Sequence, residues 1–410
     1  MRYVISMLVL FFSAGIYSQT DVERLIETML GETPIEENLQ ELCDQLGGRI
    51  TGSRSNTKAV NWAYKKLTDA GVKTWKDPFE VPMLWLPGMV EASVYGMESF
   101  SPLIVTKYGV PRGEYISRIV DLGMGTQEEF ELKKSEIEGK FILVHTELCL
   151  DINGLFAEYA QAAAVERLAD EYGAGGIIFM SSRPKKLLYR FITSRGVDPT
   201  IPQFVMARED AKRINRLIDN GQHIEVTIRV DAQSGNSFTS QNVIAEIPGS
   251  EKPEEVIIIG AHIDSWAMGT GANDNGCNVS MMIDIARQMT KLGIQPKRTI
   301  RFALWNGEEQ GYFGSWDYTR EHLDALDKHL MALSIDIGSG GIIGFFTNGR
   351  EELVRIVDNV LAPVDSLGPF SQINMPIVGT DNFDFMLQGV PNLVGNHKPY
   401  NYGLNYHAAS

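Results

Sequence analysis

Alternating strands and helices are clearest between residues 256 and 311, which contain VIIIGAHIDSW at 256–266, GANDNG at 271–276 and TIRFALWNGEEQG at 299–311. The first stretch begins with a continuous apolar, β-branched run, which is typical of a strand buried on both faces. Apolar residues then recur at spacing four over 277–292 and predict a helix. A strand, a helix and a second strand in this order predict a parallel or mixed sheet.

The same alternation continues towards the C-terminus, where residues 330–335 predict a third buried strand. The middle of the chain differs, because residues 88–236 hold short strands and turns around one alanine-rich helix, and we interpret this stretch as an inserted domain. The predicted fold class is therefore α/β. We expect a mixed, mostly parallel sheet covered by helices on both faces, built from residues 19–87 and 237–410, with the inserted domain between these two parts.

Composition and the N-terminal sequence limit the possible functions and the cellular location of this protein. The 410 residues include 37 Lys and Arg against 52 Asp and Glu, a net charge of −15, which disfavours a role in nucleic-acid binding. Residues 1–18 resemble an export signal, with Arg2, an apolar run over 4–12 and small residues before Gln19. That run is too short to span a membrane, so we expect an exported protein, periplasmic or secreted, without a membrane span. Three cysteines are too few for a disulfide-stapled fold, and their pairing stays open: Cys43, Cys149 and Cys277.

Metal-capable side chains follow three of the predicted strands. His262 and Asp264 come directly after the first strand, Glu308 and Glu309 after the second, and Asp336 after the third. Ligand sites in open α/β sheets lie beyond the carboxyl ends of the strands, so we expect these side chains to meet. His407 lies in a late polar loop and is a further candidate. Imidazoles and carboxylates together suit zinc, with cobalt or manganese as substitutes.

This inventory can serve two metal ions and a general base. One bridging carboxylate could hold two divalent ions, which would lower the pKa of a shared water and stabilise an oxyanion. Of the adjacent Glu308 and Glu309, one could bind metal and the other could take the proton from that water. Alternatively, both acids cap the helix that follows them. Asp264 could orient the imidazole of His262, or it could simply form a turn.

These residues resemble a known family. HxD at 262–264, GAxDxG at 271–276, GEE at 307–309, the strand-end Asp336 and the late His407 together resemble the co-catalytic zinc exopeptidases of the aminopeptidase and glutamate carboxypeptidase type. Within that family the carboxypeptidase Q (plasma glutamate carboxypeptidase) branch is most similar. Four further phrases carry this likeness: GRITGSR at 48–54, GAHIDSW at 260–266, QPKRTIRFALWNGEEQG at 295–311 and GTDNFDF at 379–385. The likeness also implies that the insert at 88–236 resembles a protease-associated domain.

The resemblance assigns roles to individual residues. It implies two zinc ions bridged by Asp274, with His262 and Asp336 completing one site and Glu309 and His407 the other. It implies that Glu308 is the general acid and base. The residue after Asp274 is Asn275, where the family often has a second aspartate but tolerates asparagine, and the bond between these two residues is often cis in relatives.

The implied activity is hydrolysis of unblocked dipeptides or of terminal residues of short peptides. Aminopeptidase, carboxypeptidase and dipeptidase activity stay open, and so does a homodimer. Asp381, Tyr402 and Tyr406 are candidates for contacts with the substrate. Two alternatives remain: a glutaminyl-cyclase-like acyl transferase on the same fold, which needs fewer ligands, and a non-enzymatic protein that binds peptides or a partner. Relatives usually continue beyond the last histidine, so the chain ending at Ser410 either is a fragment or lacks a closing element.

Overall fold

The computed structural model describes residues 20–194, 196, 199–400 and 402–408, so the predicted export signal lies outside the described residues. Strands occupy β1 (Lys73–Val81), β2 (Leu84–Leu86), β3 (Val90–Tyr95), β4 (Ile104–Thr106), β5 (Gly113–Asp121), β6 (Phe141–Val144), β7 (Gly176–Met180), β8 (Gln203–Met206), β9 (Glu225–Val230), β10 (Gln233–Gly235), β11 (Phe238–Ile247), β12 (Lys252–His262), β13 (Arg298–Trp305), β14 (His329–Ser334), β15 (Ile342–Phe346) and β16 (Asn392–His397). Helices occupy α1 (Asp21–Met29), α2 (Ile35–Gln40), α3 (Arg54–Asp69), α4 (Gln127–Ile137), α5 (Ile152–Glu171), α6 (Arg208–Asp219), α7 (Cys277–Lys291), α8 (Phe313–Glu321), α9 (Glu351–Leu361), α10 (Asn382–Leu387) and α11 (Tyr402–Asn405).

Seven of the described strands form the first sheet, in the order β1-β11-β13-β12-β14-β16-β15. The four central strands, β13, β12, β14 and β16, run parallel, and their neighbours at either edge are antiparallel. The expectation of a mixed, mostly parallel sheet is therefore confirmed. Because the central strands share a direction, their carboxyl ends meet at one edge, which becomes the site described below.

Helices cover both faces of the first sheet. On one face, α3 and α7 pack their apolar residues, such as Ala63, Leu67 and Met282, against β11, β12 and β13. On the other face, Tyr318 of α8 and Phe385 of α10 pack around Trp305. Burial of this apolar surface is the main stabilising contribution to the layered arrangement.

Residues 90–230 build a second sheet, in which seven described strands follow the order β3-β9-β5-β6-β7-β8-β4. Strands β5 to β8 are parallel, and the remaining pairs are antiparallel. Helices α4 and α5 contribute residues such as Phe130 and Val165 to one apolar core, and α6 contributes Ile214 to the other. A short ribbon of β2 and β10 lies where the chain enters and leaves this sheet. The domain boundaries at 88 and 236, and the likeness to a protease-associated domain, stay predictions.

Across the described ranges, no helix is both long and apolar enough to cross a lipid bilayer. All three cysteines carry free thiols: Cys43, Cys149 and Cys277.

Candidate metal centre

The parallel centre of the first sheet delivers acids and imidazoles to one edge. His262 is the last residue of β12, Glu308 and Glu309 follow β13 by three and four residues, and Asp336 follows β14 by two. Asp274 lies between β12 and α7 and is buried. The carboxyl ends of β12, β13 and β14 are neighbours, so the register of the sheet brings these side chains together.

The five predicted ligands form two overlapping groups. In the first, His262 Nε2 lies 2.9 Å from Asp274 Oδ1 and 3.1 Å from Asp336 Oδ1. In the second, His407 Nε2 lies 3.2 Å from Asp274 Oδ2 and 2.8 Å from Glu309 Oε2. Within each group, one ligand atom from every residue lies within 4.8 Å of the others. Asp274 thus offers one carboxylate oxygen to each group.

This donor set fits two cations better than it fits a metal-free core. All five side chains are buried or nearly so, and Glu309 Oε1 has no hydrogen-bond partner among the described residues. Buried carboxylates are costly unless a positive charge pairs with them. Nitrogen and oxygen donors in groups of three, with no thiolate, are typical of zinc sites that keep a position open.

Mutual charge shifts the pKa values of these groups in the metal-free chain. Burial lowers the pKa of His262, but the negative charges of Glu308 and Asp336 outweigh burial and raise this pKa well above its ordinary value. Burial raises the pKa of Asp274, but hydrogen bonds from the two imidazoles outweigh burial and lower it. The two imidazoles thus favour the charged form of Asp274, the carboxylate that they share.

Glu308 belongs to neither group but adjoins both. Its Oε2 lies 3.9 Å from His262 Nε2, and its side chain faces the same cavity as Asp274 and Asp336. Burial raises the pKa of Glu308 well above its ordinary value, the charge of His262 opposes this, and the charge of Asp336 adds to it. A carboxyl group with a raised pKa can hold and release a proton near neutral pH.

We predicted that Asp264 could orient the imidazole of His262. The contact is made by the backbone carbonyl of Asp264 and not by its side chain. Nδ1 of His262 lies 3.1 Å from the backbone carbonyl of Asp264, whereas the carboxylate Oδ1 is 3.6 Å away. The carboxylate instead accepts hydrogen bonds from the backbone N–H groups of Glu308 and Glu309, at 3.3 and 3.2 Å. The carbonyl therefore orients the imidazole, and the carboxylate fixes the turn that carries the two glutamates.

The hydrogen bonds of the Asn275 side chain explain why an amide suits the position after Asp274. Its side-chain Nδ2 donates to the carbonyl of Ile335, the residue directly after β14, at 3.0 Å. Its Oδ1 accepts from Asn278 Nδ2 at 2.7 Å. A carboxylate could accept the second bond but could not donate the first. The Asp274–Asn275 peptide is cis, as the resemblance implied.

Sequence reasoning missed Arg49, which ties together the loops around the site. It is fully buried, and its guanidinium donates to four carbonyls: Ile263 at 2.9 Å, Gly47 at 3.0 Å, Thr270 at 2.6 Å and Gly271 at 2.9 Å. Gly271 has a left-handed φ of +64°, and a Cβ there would lie 2.7 Å from the guanidinium. The motif GRITGSR at 48–54 resembles the sequences of relatives, but the motif alone does not indicate which carbonyls Arg49 binds.

Replacing Arg49 with methionine should destabilise the first sheet. The change keeps the side-chain length but leaves the buried carbonyl of Ile263 and three partly buried carbonyls without their donor, so we expect the free energy of unfolding to fall by about 3 kcal/mol. Thermal and denaturant unfolding would measure this. Arg229→Met is the control, because Arg229 pairs with Glu114 on the surface and should change stability by less than about 1 kcal/mol. Equal stability of the two variants would contradict the structural role of Arg49.

A cavity of about 400 Å³ opens onto the metal-binding groups. Its polar floor includes Asp274, Glu308, Glu309, Asp336 and His407. Its apolar wall comes largely from the second sheet's side of the molecule, and the apolar lining residues are Ile152, Leu155, Phe156, Ile192, Ile337 and Val378. This volume lies within the range of about 300–1,000 Å³ that is usual for small-ligand pockets.

The three predicted substrate contacts take different positions. Tyr402 and Tyr406 line the cavity. Asp381 is buried, accepts a hydrogen bond from Ser315 Oγ at 2.7 Å, and is not among the described residues that line the cavity. Its Oδ1 is therefore engaged within the protein, whereas its Oδ2 is buried without a hydrogen-bond partner among the described residues.

A parallel-centred α/β sheet with paired His–carboxylate groups at its carboxyl edge defines the class of metallohydrolases. Residues 242–410 match the model for peptidase family M28. Carboxypeptidase Q of Rattus norvegicus is 26% identical over 385 residues, covering 91% of this chain and 79% of the relative. Probable leucine aminopeptidase 2 of Arthroderma benhamiae is 26% identical over 344 residues, covering 84% and 63%. A crystal structure of a peptidase M28 precursor from Shewanella amazonensis is 27% identical with a TM-score of 0.80, covering 94% of this chain and 89% of that one.

Residues 242–410 thus match peptidase family M28, and the chain is similar to carboxypeptidase Q over 91% of its length. The family and the names of the relatives support a metallopeptidase.

Proposed function

We propose that this protein is a two-zinc exopeptidase that hydrolyses unblocked dipeptides or removes terminal residues from short peptides. The observation that carries the proposal is Asp274, whose two carboxylate oxygens face two separate His–carboxylate groups. Both groups open into the cavity that Glu308 also lines. Metal ligands and a candidate proton carrier thus surround one space large enough for a short peptide.

His262, Asp274 and Asp336 would hold one ion, and Asp274, Glu309 and His407 would hold the other. When bound, such ions supply Lewis acidity and a water of lowered pKa. Glu308 would accept the proton of that water at a carboxylate oxygen and donate it to the departing amine. The Asp264 carboxylate holds the backbone of Glu308 in place for this role.

The charges of the cavity favour recognition of a free amino terminus. Its floor carries the carboxylates of Asp274, Glu308, Glu309 and Asp336, and none of its described lining residues is Lys or Arg. With two ions held by Asp274, Glu309 and Asp336, Glu308 is the floor carboxylate left to attract an ammonium group, whereas a substrate carboxylate would have to pair with the ions themselves. Arg195 lies in the sequence between two lining residues and outside the described residues. The apolar wall favours an apolar N-terminal side chain.

Blocked dipeptides test this proposal. With zinc-loaded enzyme, Leu-Gly should be hydrolysed, and its N-acetyl form should lose at least about 100-fold in kcat/KM because the ammonium is removed. The C-terminal amide should be retained as a substrate, and Asp-Gly should be poorer than Leu-Gly. Chromatographic detection of free leucine would measure each rate.

Other outcomes of this experiment discriminate between the peptidase types. Loss only with the C-terminal amide would contradict N-terminal recognition and indicate a carboxypeptidase. Loss of hydrolysis for both the N-acetyl form and the C-terminal amide would indicate a dipeptidase. No hydrolysis of any substrate by a chain that holds two zinc ions would contradict the proposed function.

We also propose that the enzyme is exported, because residues 1–18 have the composition of a signal sequence. N-terminal sequencing of the protein from the periplasm or medium should then begin near Gln19. Recovery of an intact Met1 N-terminus from the cytoplasm would contradict export.

A further inference from the structure

The ligand His407 does not share the support of the other four. His262 ends a strand of the first sheet, Glu309 and Asp336 follow two others, and Asp274 lies three residues before α7, which packs on that sheet. His407 comes instead from residues 402–408, which follow β16 and lie against the second sheet.

Backbone contacts attach this segment to the second sheet. The N–H of Arg190 donates to the carbonyl of His407 at 3.3 Å, and Tyr189 and Ala408 form an antiparallel bridge. Ala408 is buried in the same apolar core as Val165 of α5. The backbone of His407 and the side chain of Ala408 are therefore held by a part of the chain that carries none of the predicted metal ligands.

Side-chain contacts fix the imidazole ring itself. The ring of Tyr406 stacks on that of His407 with centroids 3.6 Å apart. The hydroxyl of Tyr406 lies 3.1 Å from the hydroxyl of Tyr159 in α5, which forms a hydrogen bond between the two tyrosines. The edge of Trp266 contacts the imidazole from another side, with centroids 5.9 Å apart.

The backbone of His407 needs this outside support. Its φ is +54°, in the left-handed region that residues other than glycine seldom adopt. A local hydrogen bond from the N–H of Ala408 to the carbonyl of Asn405, at 3.1 Å, and tertiary contacts together maintain this conformation. Those contacts come from Arg190 and, through Tyr406, from Tyr159.

We propose that Tyr159 of α5 is a positioning residue for the ion held by Asp274, Glu309 and His407. Tyr159 acts through Tyr406 on the imidazole. His407 is a ligand of one ion only, so the second sheet should tune the affinity of that ion more than the affinity of the other. The inference rests on the proposed two-zinc site.

Zinc titration of Tyr159→Phe tests this role. The change removes one hydroxyl and keeps the ring, so folding should be preserved. Loss of a group that orients a ligand from outside the metal shell commonly costs about 10–100-fold in metal affinity, and we expect about 10-fold here. Competition with a chromophoric chelator should show this weakening for one zinc equivalent, with the other equivalent weakened less. Binding of Co²⁺ would give a spectroscopic signature for each site.

Tyr172→Phe is the matched control, because Tyr172 directly follows α5 and its hydroxyl donates a hydrogen bond to Glu131 on the surface. It should bind both ions as the wild type does. Tyr159→Leu, which also removes the ring, should weaken the same single equivalent further. Wild-type affinity for both ions in both Tyr159 variants, or equal weakening of both ions, would overturn the inference. A wild-type chain that binds no zinc would instead overturn the proposed function, and this inference with it.

Discussion

Glu308→Gln is expected to lower kcat for Leu-Gly hydrolysis by about 10²–10⁴-fold, the usual contribution of a general acid and base. Glutamine keeps the shape of the side chain but cannot accept the proton of a water. Glu308 lies outside both ligand groups, so the variant should still hold two zinc ions. Steady-state kinetics together with metal analysis of the same sample would measure both quantities.

Glu136→Gln is the control for this change, because Glu136 is exposed on α4 and far along the chain from the site. It should leave kcat and zinc content unchanged. Loss of zinc from Glu308→Gln would show that Glu308 is a ligand, and full activity would show that another group carries the proton. Either result would contradict the assigned role.

Asp274→Asn is expected to remove both activity and metal. A neutral amide offers one carbonyl oxygen in place of two charged oxygens, so it cannot serve both His–carboxylate groups. We expect zinc content to fall from two ions per chain to one or fewer at micromolar free zinc. Activity should fall at least about 10³-fold, because the two ions act together on one reaction centre.

Asp384→Asn controls for the loss of a buried carboxylate. Asp384 is buried and accepts a hydrogen bond from Ser315 Oγ at 2.8 Å, and it belongs to neither ligand group. Burial raises its pKa to about 6, so the neutral amide should be tolerated. Two bound zinc ions in Asp274→Asn would contradict the shared-ligand geometry, and loss of zinc from Asp384→Asn would point to general unfolding.

The sequence predicts three of the four central strands, β12, β13 and β14, because each is rich in apolar residues. The predicted strand at 299–305 is observed as β13, Arg298–Trp305, and that at 330–335 as β14, His329–Ser334. Strands buried on both faces have this composition, and their order along the chain implies their parallel pairing. Knowing where each strand ends was sufficient to anticipate that His262, Glu309 and Asp336 would lie close together.

The remaining features depend on contacts that are distant in sequence. Arg49 meets carbonyls more than 200 residues away, and nothing in its neighbourhood indicates them. Tyr159 supports His407 through Tyr406. Tyr406 lies 247 positions after Tyr159 in the sequence, and His407 lies 248 positions after it. The antiparallel β15 at the sheet edge is likewise set by pairing with β16 and not by its own short sequence. Local periodicity carries no information about such pairs.

Most of the cavity's apolar wall comes from a different stretch of the chain than the proposed metal ligands His262, Asp274, Glu309 and Asp336. The acids stand at the edge of the first sheet, whereas Leu155 and Phe156 belong to α5, and Phe156 is 40% exposed. Substitutions in this part of α5 can alter which side chains fit without disturbing a ligand. Substrate preference could therefore change during evolution through substitutions in α5, while Glu308 and the proposed metal ligands stay the same.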